Sequence, residues 1–157
     1  MSSPEQDVIV AIAERIGALR LSLSDTMDLA GRAPPADMQA FNAMPKIERV
    51  ASSALIKSVE QLEDQLARLF RTILRELTVD TTGWFAQDTA NRMEQMGLVS
   101  DADRWVEIVK LRNRLIHDYP LDQEAQFKLL REAYAAAAFL DETSTRAIAF
   151  LTERGWI

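Results

Sequence analysis

The chain has 157 residues, of which 48% are hydrophobic and 27% are charged, and this mixture is typical of one globular domain with a substantial core. Its formal net charge of −6 argues against broad, nonspecific binding of nucleic acid, which depends on the neutralisation of many phosphates. The absence of cysteine excludes disulfides, thiolate metal ligands and a cysteine nucleophile. We find no signal sequence and no apolar run long enough to cross a bilayer, so we expect a cytoplasmic protein that makes no membrane contact.

Apolar residues recur at helical spacing along the chain, and no segment alternates as a half-buried strand would, so the sequence predicts an all-α fold. We expect one domain over residues 1–157, built as an up-and-down bundle of about five helices. In chain order the expected helices cover about 4–30, 45–77, 84–96, 101–118 and 122–154. The first should bury a stripe of Val8, Ile12, Ile16, Leu19, Leu23 and Met27, and the second a stripe of Leu55, Val59, Leu62, Leu66, Leu69 and Ile73.

Local signals place the ends of the later helices. The segment 81–83 offers a cap for the short third helix, and Gly97 ends it. Ser100, with Asp103 three residues later, resembles a capping box for the fourth helix, which we call the motif helix. Pro120 disfavours helical geometry at the residue before it, so the chain should leave the motif helix there.

Cations concentrate in the motif helix. The segment 104–117 has a local charge of +3, which comes from Arg104, Lys110, Arg112 and Arg114 against Glu107. A small basic site on an acidic body is suited to binding one or two phosphates rather than a long duplex.

Arg112 is predicted to lie in the middle of an apolar stripe of this helix, whose members are Trp105, Ile108, Val109, Leu115 and Ile116. A guanidinium in that position needs either an acidic partner or a solvent-filled cleft, because burying it alone costs roughly several kcal/mol. The candidates for a purely structural partner are Glu60, Glu63, Asp64 and Glu76. Taken alone, His117 is equally explained as a cation that complements the helix C-terminus.

The spacing of three residues favours a functional interpretation. The only histidine, His117, lies five residues after Arg112 and two before Tyr119. Arginine is suited to phosphate, and imidazole can both take and donate a proton near neutrality. RNA supplies its own 2′-hydroxyl nucleophile, so metal-free cleavage needs only a base, an acid and positive charge. One histidine cannot fill both roles in one concerted step, and a two-fold dimer would bring two copies into one cleft.

Other chemistries fit the sequence badly. Helical metal motifs that pair glutamate or histidine with a second histidine are absent, and so is a glycine-rich phosphate loop. A Ser-His-Asp triad stays open, although no nucleophile elbow or strand framework supports it.

At Arg112, Asn113, His117 and Tyr119 the chain resembles the HEPN superfamily, and within it the HepT-like toxins that are paired with minimal nucleotidyltransferases. Their motif is Arg, four residues, His, one residue and Tyr, usually with Asn directly after the Arg. The segment 97–100, followed by Trp105, resembles the approach of this family to its motif helix. The helical layout covers nearly the whole chain.

The resemblance implies a HEPN-like homodimer that acts as the toxin of a toxin–antitoxin pair, a metal-independent endoribonuclease that needs no cofactor. Arg112 would then stabilise the phosphate of the RNA substrate, His117 would do acid–base work, and Asn113 and Arg114 would support the pocket. Tyr119 would accept AMP from the cognate minimal nucleotidyltransferase, the antitoxin. The alternative, favoured by the acidic body, is a noncatalytic helical companion that presents a nucleotide or a substrate to a nucleotidyltransferase.

Overall fold

The computed structural model describes all 157 residues and contains six α-helices and no β-strand, so the all-α prediction is confirmed. The helices are α1 (Pro4–Ala30), α2 (Met38–Asn42), α3 (Lys46–Glu76), α4 (Ala86–Gln95), α5 (Ala102–His117) and α6 (Gln123–Glu153). None of them combines the length and the apolar character that a membrane-crossing helix requires.

The prediction of about five helices missed α2. This helix has five residues, none of them buried, and a single turn is too short to produce an apolar period. It forms because Asp37 caps it, with its carboxylate accepting a hydrogen bond of 2.8 Å from the backbone N–H of Ala40.

Helices α1 and α3 lie antiparallel. The hydroxyl of Ser3 and the side-chain amide of Gln6, at the start of α1, donate hydrogen bonds of 2.5 and 2.7 Å to the carboxylate of Glu76, the last residue of α3. Every member of the predicted α3 stripe is fully buried. In α1, however, Ile9 is buried and Val8 is exposed, so the predicted stripe was wrong by one residue at that end.

Helix α3 is the centre of the core, and one continuous cluster of buried side chains joins it to α1, α4, α5 and α6. Helix α5 packs on it through the rings of Trp105 and Phe70, whose centroids are 4.8 Å apart. One heptad further along α5, Arg112 meets Glu63, which lies one heptad earlier in α3. The two helices are therefore antiparallel, and the polar contact follows directly from the aromatic one.

The start of α5 differs in detail from the prediction. Asp101 is the N-cap, and its side chain accepts a hydrogen bond of 3.1 Å from the backbone N–H of Arg104. The expected capping box of Ser100 and Asp103 is therefore wrong. The end is as predicted, because His117 is the last helical residue and the chain turns before Pro120.

The short helix α4 begins later than its predicted cap. Its N-cap is Phe85, whose backbone N–H donates a hydrogen bond of 2.8 Å to the carboxylate of Asp88. The segment 81–83 belongs to a preceding turn, in which Asp80 accepts hydrogen bonds from the backbone and the hydroxyl of Thr82. The segments 81–83 and 85–88 both carry polar side chains that can accept hydrogen bonds from the backbone. The sequence pattern therefore did not distinguish the turn from the start of the helix.

The central position of α3 leads to a first prediction. We expect Leu66→Ala to lower the free energy of unfolding by about 2–5 kcal/mol, because Leu66 is fully buried and its removal leaves a cavity. The matched control is Leu21→Ala on α1, where the leucine is 71% exposed and the loss should stay within about 0.5 kcal/mol. Urea denaturation of both variants measures the difference, and equal midpoints would contradict the packing described here.

Candidate functional site

The buried face of α5 consists of Ala102, Trp105, Ile108, Leu111 and Leu115. Because Leu111 belongs to this face and Ile116 is exposed, Arg112 lies at the edge of the apolar stripe and not in its middle, as the sequence had suggested. Its side chain keeps 30% of its surface exposed. The guanidinium is thus at the boundary between the core and solvent.

Three carboxylate or amide oxygens surround the guanidinium of Arg112. Its Nε lies 3.3 Å from Oε2 of Glu63, its Nη2 lies 3.4 Å from Oδ1 of Asp64, and its Nη1 lies 3.5 Å from Oδ1 of Asn113. The Nε is buried and has no hydrogen-bond partner, so its contact with Glu63 is an electrostatic contact without hydrogen-bond geometry. Glu63 and Asp64 were two of the four acids predicted as structural partners, and that prediction is confirmed.

Glu63 is the most perturbed acid of the chain. Its side chain is only 5% exposed, and this burial raises the pKa of its carboxyl from 4.5 to about 7. Asp64 raises the pKa further, while the guanidiniums of Arg112 and Arg71 oppose the shift. Near neutrality the carboxyl is therefore divided between its charged and its neutral form, and the attraction that it exerts on Arg112 changes with pH.

From the sequence, Glu63 was predicted only as one possible partner of Arg112, and its raised pKa was not predicted. The signal was present, because Glu63 lies four residues after Val59 and seven before Phe70, on the flank of the apolar stripe of α3. A carboxylate at such a position is desolvated by its neighbours.

A cavity of about 420 Å³ opens beside Arg112, between α3, α4 and α5. Its charged lining consists of Glu63, Asp64, Arg71 and Arg112. Its aromatic lining consists of Phe70, Trp84, Phe85 and Trp105. The guanidinium of Arg112 therefore has acidic partners and also faces a cleft, so the two outcomes that the sequence offered as alternatives occur together.

His117 is exposed at the C-terminus of α5 and forms no hydrogen bond or ion pair with the rest of the chain. It does not line the cavity that contains Arg112. Within a single chain, the two predicted catalytic side chains therefore face different surroundings.

The remaining predicted site residues divide between the two faces of α5. Asn113 contacts Arg112, whereas Arg114 forms an ion pair of 2.6 Å with Glu132 of α6 and does not line the same cavity. Tyr119 lies 47% exposed after the helix, and partial burial raises the pKa of its phenol. It borders a separate cavity of about 150 Å³ next to the first turns of α3.

The basic charge of α5 is largely neutralised by the protein itself. Arg104 pairs with Glu107 at 3.2 Å, and Arg112 and Arg114 have the partners described above. Of the four cations in the segment, only Lys110 forms no ion pair. No group of three or more His, Asp or Glu side chains is placed to hold a metal ion.

Comparison with known proteins found no family model, no curated protein and no solved structure that matches this chain.

The pKa of Glu63 predicts how stability depends on pH. Because this pKa is higher in the folded than in the unfolded chain, the folded state binds more protons between pH 4.5 and about 7. The contribution of Glu63 to the free energy of unfolding is greatest below pH 4.5 and declines by at most about 1.4 kcal/mol per pH unit up to about pH 7.

We expect Glu63→Gln to remove this decline, because glutamine has nearly the same shape and does not titrate. Urea denaturation in steps between pH 4.5 and 8 measures it. Glu60→Gln, one turn earlier on α3, is the control and should retain the decline, since it leaves Glu63 in place. If the pH profiles of the Glu63→Gln variant and the unmodified protein were parallel, Glu63 would not titrate as described.

Proposed function

We propose that the protein is a HepT-like toxin that cleaves RNA without a metal ion, at a cleft formed by two copies of the chain. The observation that carries the proposal is that α5 presents Arg112 and His117 at the spacing of the HEPN motif, with both side chains accessible to a ligand. If Arg112 had only a structural role and His117 had none, the five-residue spacing between them would have no explanation.

In the proposed reaction Arg112 binds the scissile phosphate and stabilises the charge of the five-coordinate phosphorane. The imidazole of one His117 removes the proton from the 2′-hydroxyl, whose oxygen attacks phosphorus. The bond from phosphorus to the 5′-oxygen breaks, and the His117 of the second copy donates a proton to that oxygen. The products are a 2′,3′-cyclic phosphate and a 5′-hydroxyl, and no other reactant is needed.

The contacts that Arg112 makes within the chain are long, and this supports a role for its guanidinium in phosphate binding. Its contacts with Glu63, Asp64 and Asn113 range from 3.3 to 3.5 Å, whereas a charge-assisted hydrogen bond is about 2.7–2.9 Å long. A phosphate within hydrogen-bond distance of the guanidinium would bind Arg112 more strongly than these three contacts do. Protonation of Glu63 near pH 7 weakens the competing attraction further.

An exposed apolar surface around His117 supports the dimer. Ile116, Tyr119 and Leu121 are all exposed within four residues of it in the chain. Exposed apolar residues that cluster in this way are typical of interaction sites. A two-fold interface over this surface would bring the two His117 side chains together.

RNA cleavage in the presence of a metal chelator tests the proposal. We expect His117→Ala to reduce cleavage by about 10²–10⁴-fold, the usual effect of losing a general acid or base. Arg112→Ala should reduce it by about 10²–10³-fold, because the transition-state charge loses its partner. The control is Arg20→Ala, since the Arg20 side chain is 31% exposed and also forms an ion pair, with Asp141.

Circular dichroism and sedimentation accompany the assay, so that a lost fold or a lost dimer is recognised. Equal cleavage by the unmodified protein and all three variants would refute the assignment of the catalytic residues. A protein that is monomeric at micromolar concentration, or that cuts no RNA, would refute the proposed function.

The second candidate function is a noncatalytic companion of a nucleotidyltransferase, and the ion pairs of Arg112 with Glu63 and Asp64 favour it, because they explain Arg112 without a substrate. It requires a complex with the transferase, or nucleotide binding, that survives His117→Ala. Calorimetry on that variant separates it from the nuclease, for which the same substitution abolishes activity.

Tyr119 is the proposed AMP acceptor of the toxin–antitoxin pair. Its phenol oxygen would attack the α-phosphate of ATP, pyrophosphate would leave, and the phenol proton would pass to a base of the nucleotidyltransferase. Such a base is needed because a phenol is protonated near neutrality, and partial burial raises the pKa of this one further.

Incubation with the cognate nucleotidyltransferase and ATP should therefore add one AMP to the chain, measured by mass spectrometry. We expect Tyr119→Phe to remain unmodified. Tyr134→Phe is the matched control and should be modified fully, because Tyr134 is the only other tyrosine and its buried hydroxyl donates a hydrogen bond to the carbonyl of Gly31. An AMP adduct on the Tyr119→Phe variant would contradict the assignment.

A further inference from the structure

The aromatic side of the cavity beside Arg112 has no explanation in the proposed cleavage. Phe85 lines this cavity and is 81% exposed, although a phenylalanine of a folded domain is ordinarily buried. Its backbone is fixed at the start of α4 by the hydrogen bond to Asp88. Trp84 next to it is partly buried against the core. An exposed aromatic side chain on a fixed backbone is thus presented at the mouth of the cavity.

The polar side of the same cavity holds one carboxyl that forms no hydrogen bond and one guanidinium that forms no ion pair. The carboxyl of Glu63 forms no hydrogen bond within the chain, and Nε of Arg112 is buried without one. Arg71 is exposed at the cavity and forms no ion pair. Glu63 and Arg112 thus meet only in their 3.3 Å ion pair, and the exposed guanidinium of Arg71 is the group of this cavity that can bind an anion.

These features restrict the chemistry of the occupant. An aliphatic molecule would leave Arg71 without an anion and the carboxyl of Glu63 without a hydrogen bond, and a free phosphate would leave Phe85 without contact. The occupant should be flat and aromatic, carry hydrogen-bond donors and acceptors on its edge, and be attached to an anion that Arg71 can reach. A nucleotide has all of these properties, and the cavity volume of about 420 Å³ lies within the range of about 300–1,000 Å³ found for ligand pockets.

We propose that this cavity binds one nucleobase of the RNA strand, stacked on Phe85 with its edge at Glu63 and its phosphate at Arg71. The identity of the ligand as RNA rests on the proposed function, but base binding itself does not require cleavage. With a base in this subsite, the neighbouring phosphodiester would lie against Arg112. The base that the cavity accepts would therefore determine where the strand is cut.

Calorimetric titration of the unmodified protein with the four ribonucleoside 5′-monophosphates, and with ribose 5-phosphate as a probe without a base, tests the subsite. We expect at least one nucleotide to bind at least about tenfold more tightly than ribose 5-phosphate, because stacking is lost without the base. Phe85→Ala and Phe85→Leu should lower the affinity for that nucleotide by about tenfold, and Phe85→Trp should leave this affinity unchanged. Leu21→Ala on α1, an exposed apolar residue far from every lining residue of the cavity, should change nothing.

The outcomes separate this subsite from the nuclease. Nucleotide binding that depends on Phe85, in a protein that cuts no RNA, would support the subsite and refute the proposed function. RNA cleavage that depends on His117, together with equal nucleotide affinity of the Phe85→Ala and Leu21→Ala variants, would refute the subsite alone. Equal affinity for ribose 5-phosphate and for all four nucleotides would also refute it.

Discussion

The contact of Arg112 with Glu63 and Asp64 determines how α5 is joined to α3 and what the cleft between them contains. Placing a guanidinium at the edge of a core without acidic partners costs roughly several kcal/mol of folding free energy. Burying a carboxylate beside it without a cation is equally costly. Each group therefore offsets part of the cost of burying the other. Because the contact lies one heptad from the packed, mutually tilted rings of Trp105 and Phe70, the apolar packing of the two helices fixes the position of the charges.

Under the proposed function, the same contact would link stability to phosphate binding through one proton. When Glu63 is charged it holds Arg112, and when it is neutral the folded state is more stable but the guanidinium is held less firmly. A phosphate that takes Arg112 leaves Glu63 without its cation, which raises the tendency of that carboxyl to bind a proton. Phosphate binding at Arg112 and protonation of Glu63 therefore favour each other.

Much of the fold could be predicted because it depends on periodicity and on strong helix terminators. The bounds of α1 and the buried stripe of α3 follow from these signals alone. The errors have local causes. Val8 and Ile9 are both apolar, so the pattern could not decide which one faces α3, and counting Leu111 into the buried face of α5 moves Arg112 to its edge.

The site was harder to predict than the fold. The residues Arg112, Asn113, His117 and Tyr119 stood out because they are close in sequence and their spacing is distinctive. The cavity did not, because Glu63, Trp84, Phe85 and Arg112 come from three separate parts of the chain, and only tertiary packing brings them together. Exposure of a single phenylalanine leaves no signal in a sequence, and neither does a pKa shift that depends on burial.

The charge of α5 shows why a motif that is basic in sequence need not produce a basic surface. Arg104, Arg112 and Arg114 are matched by acids of the same chain, and Lys110 alone stays unpaired. Binding of nucleic acid by such a helix gains little from long-range attraction, because each phosphate must first displace a carboxylate. Recognition would then depend on contacts made at short range, which on this face are the loosely held guanidinium of Arg112 and the aromatic surface of Phe85. A site of this kind favours one or two nucleotides in a defined position over extended coverage of a strand.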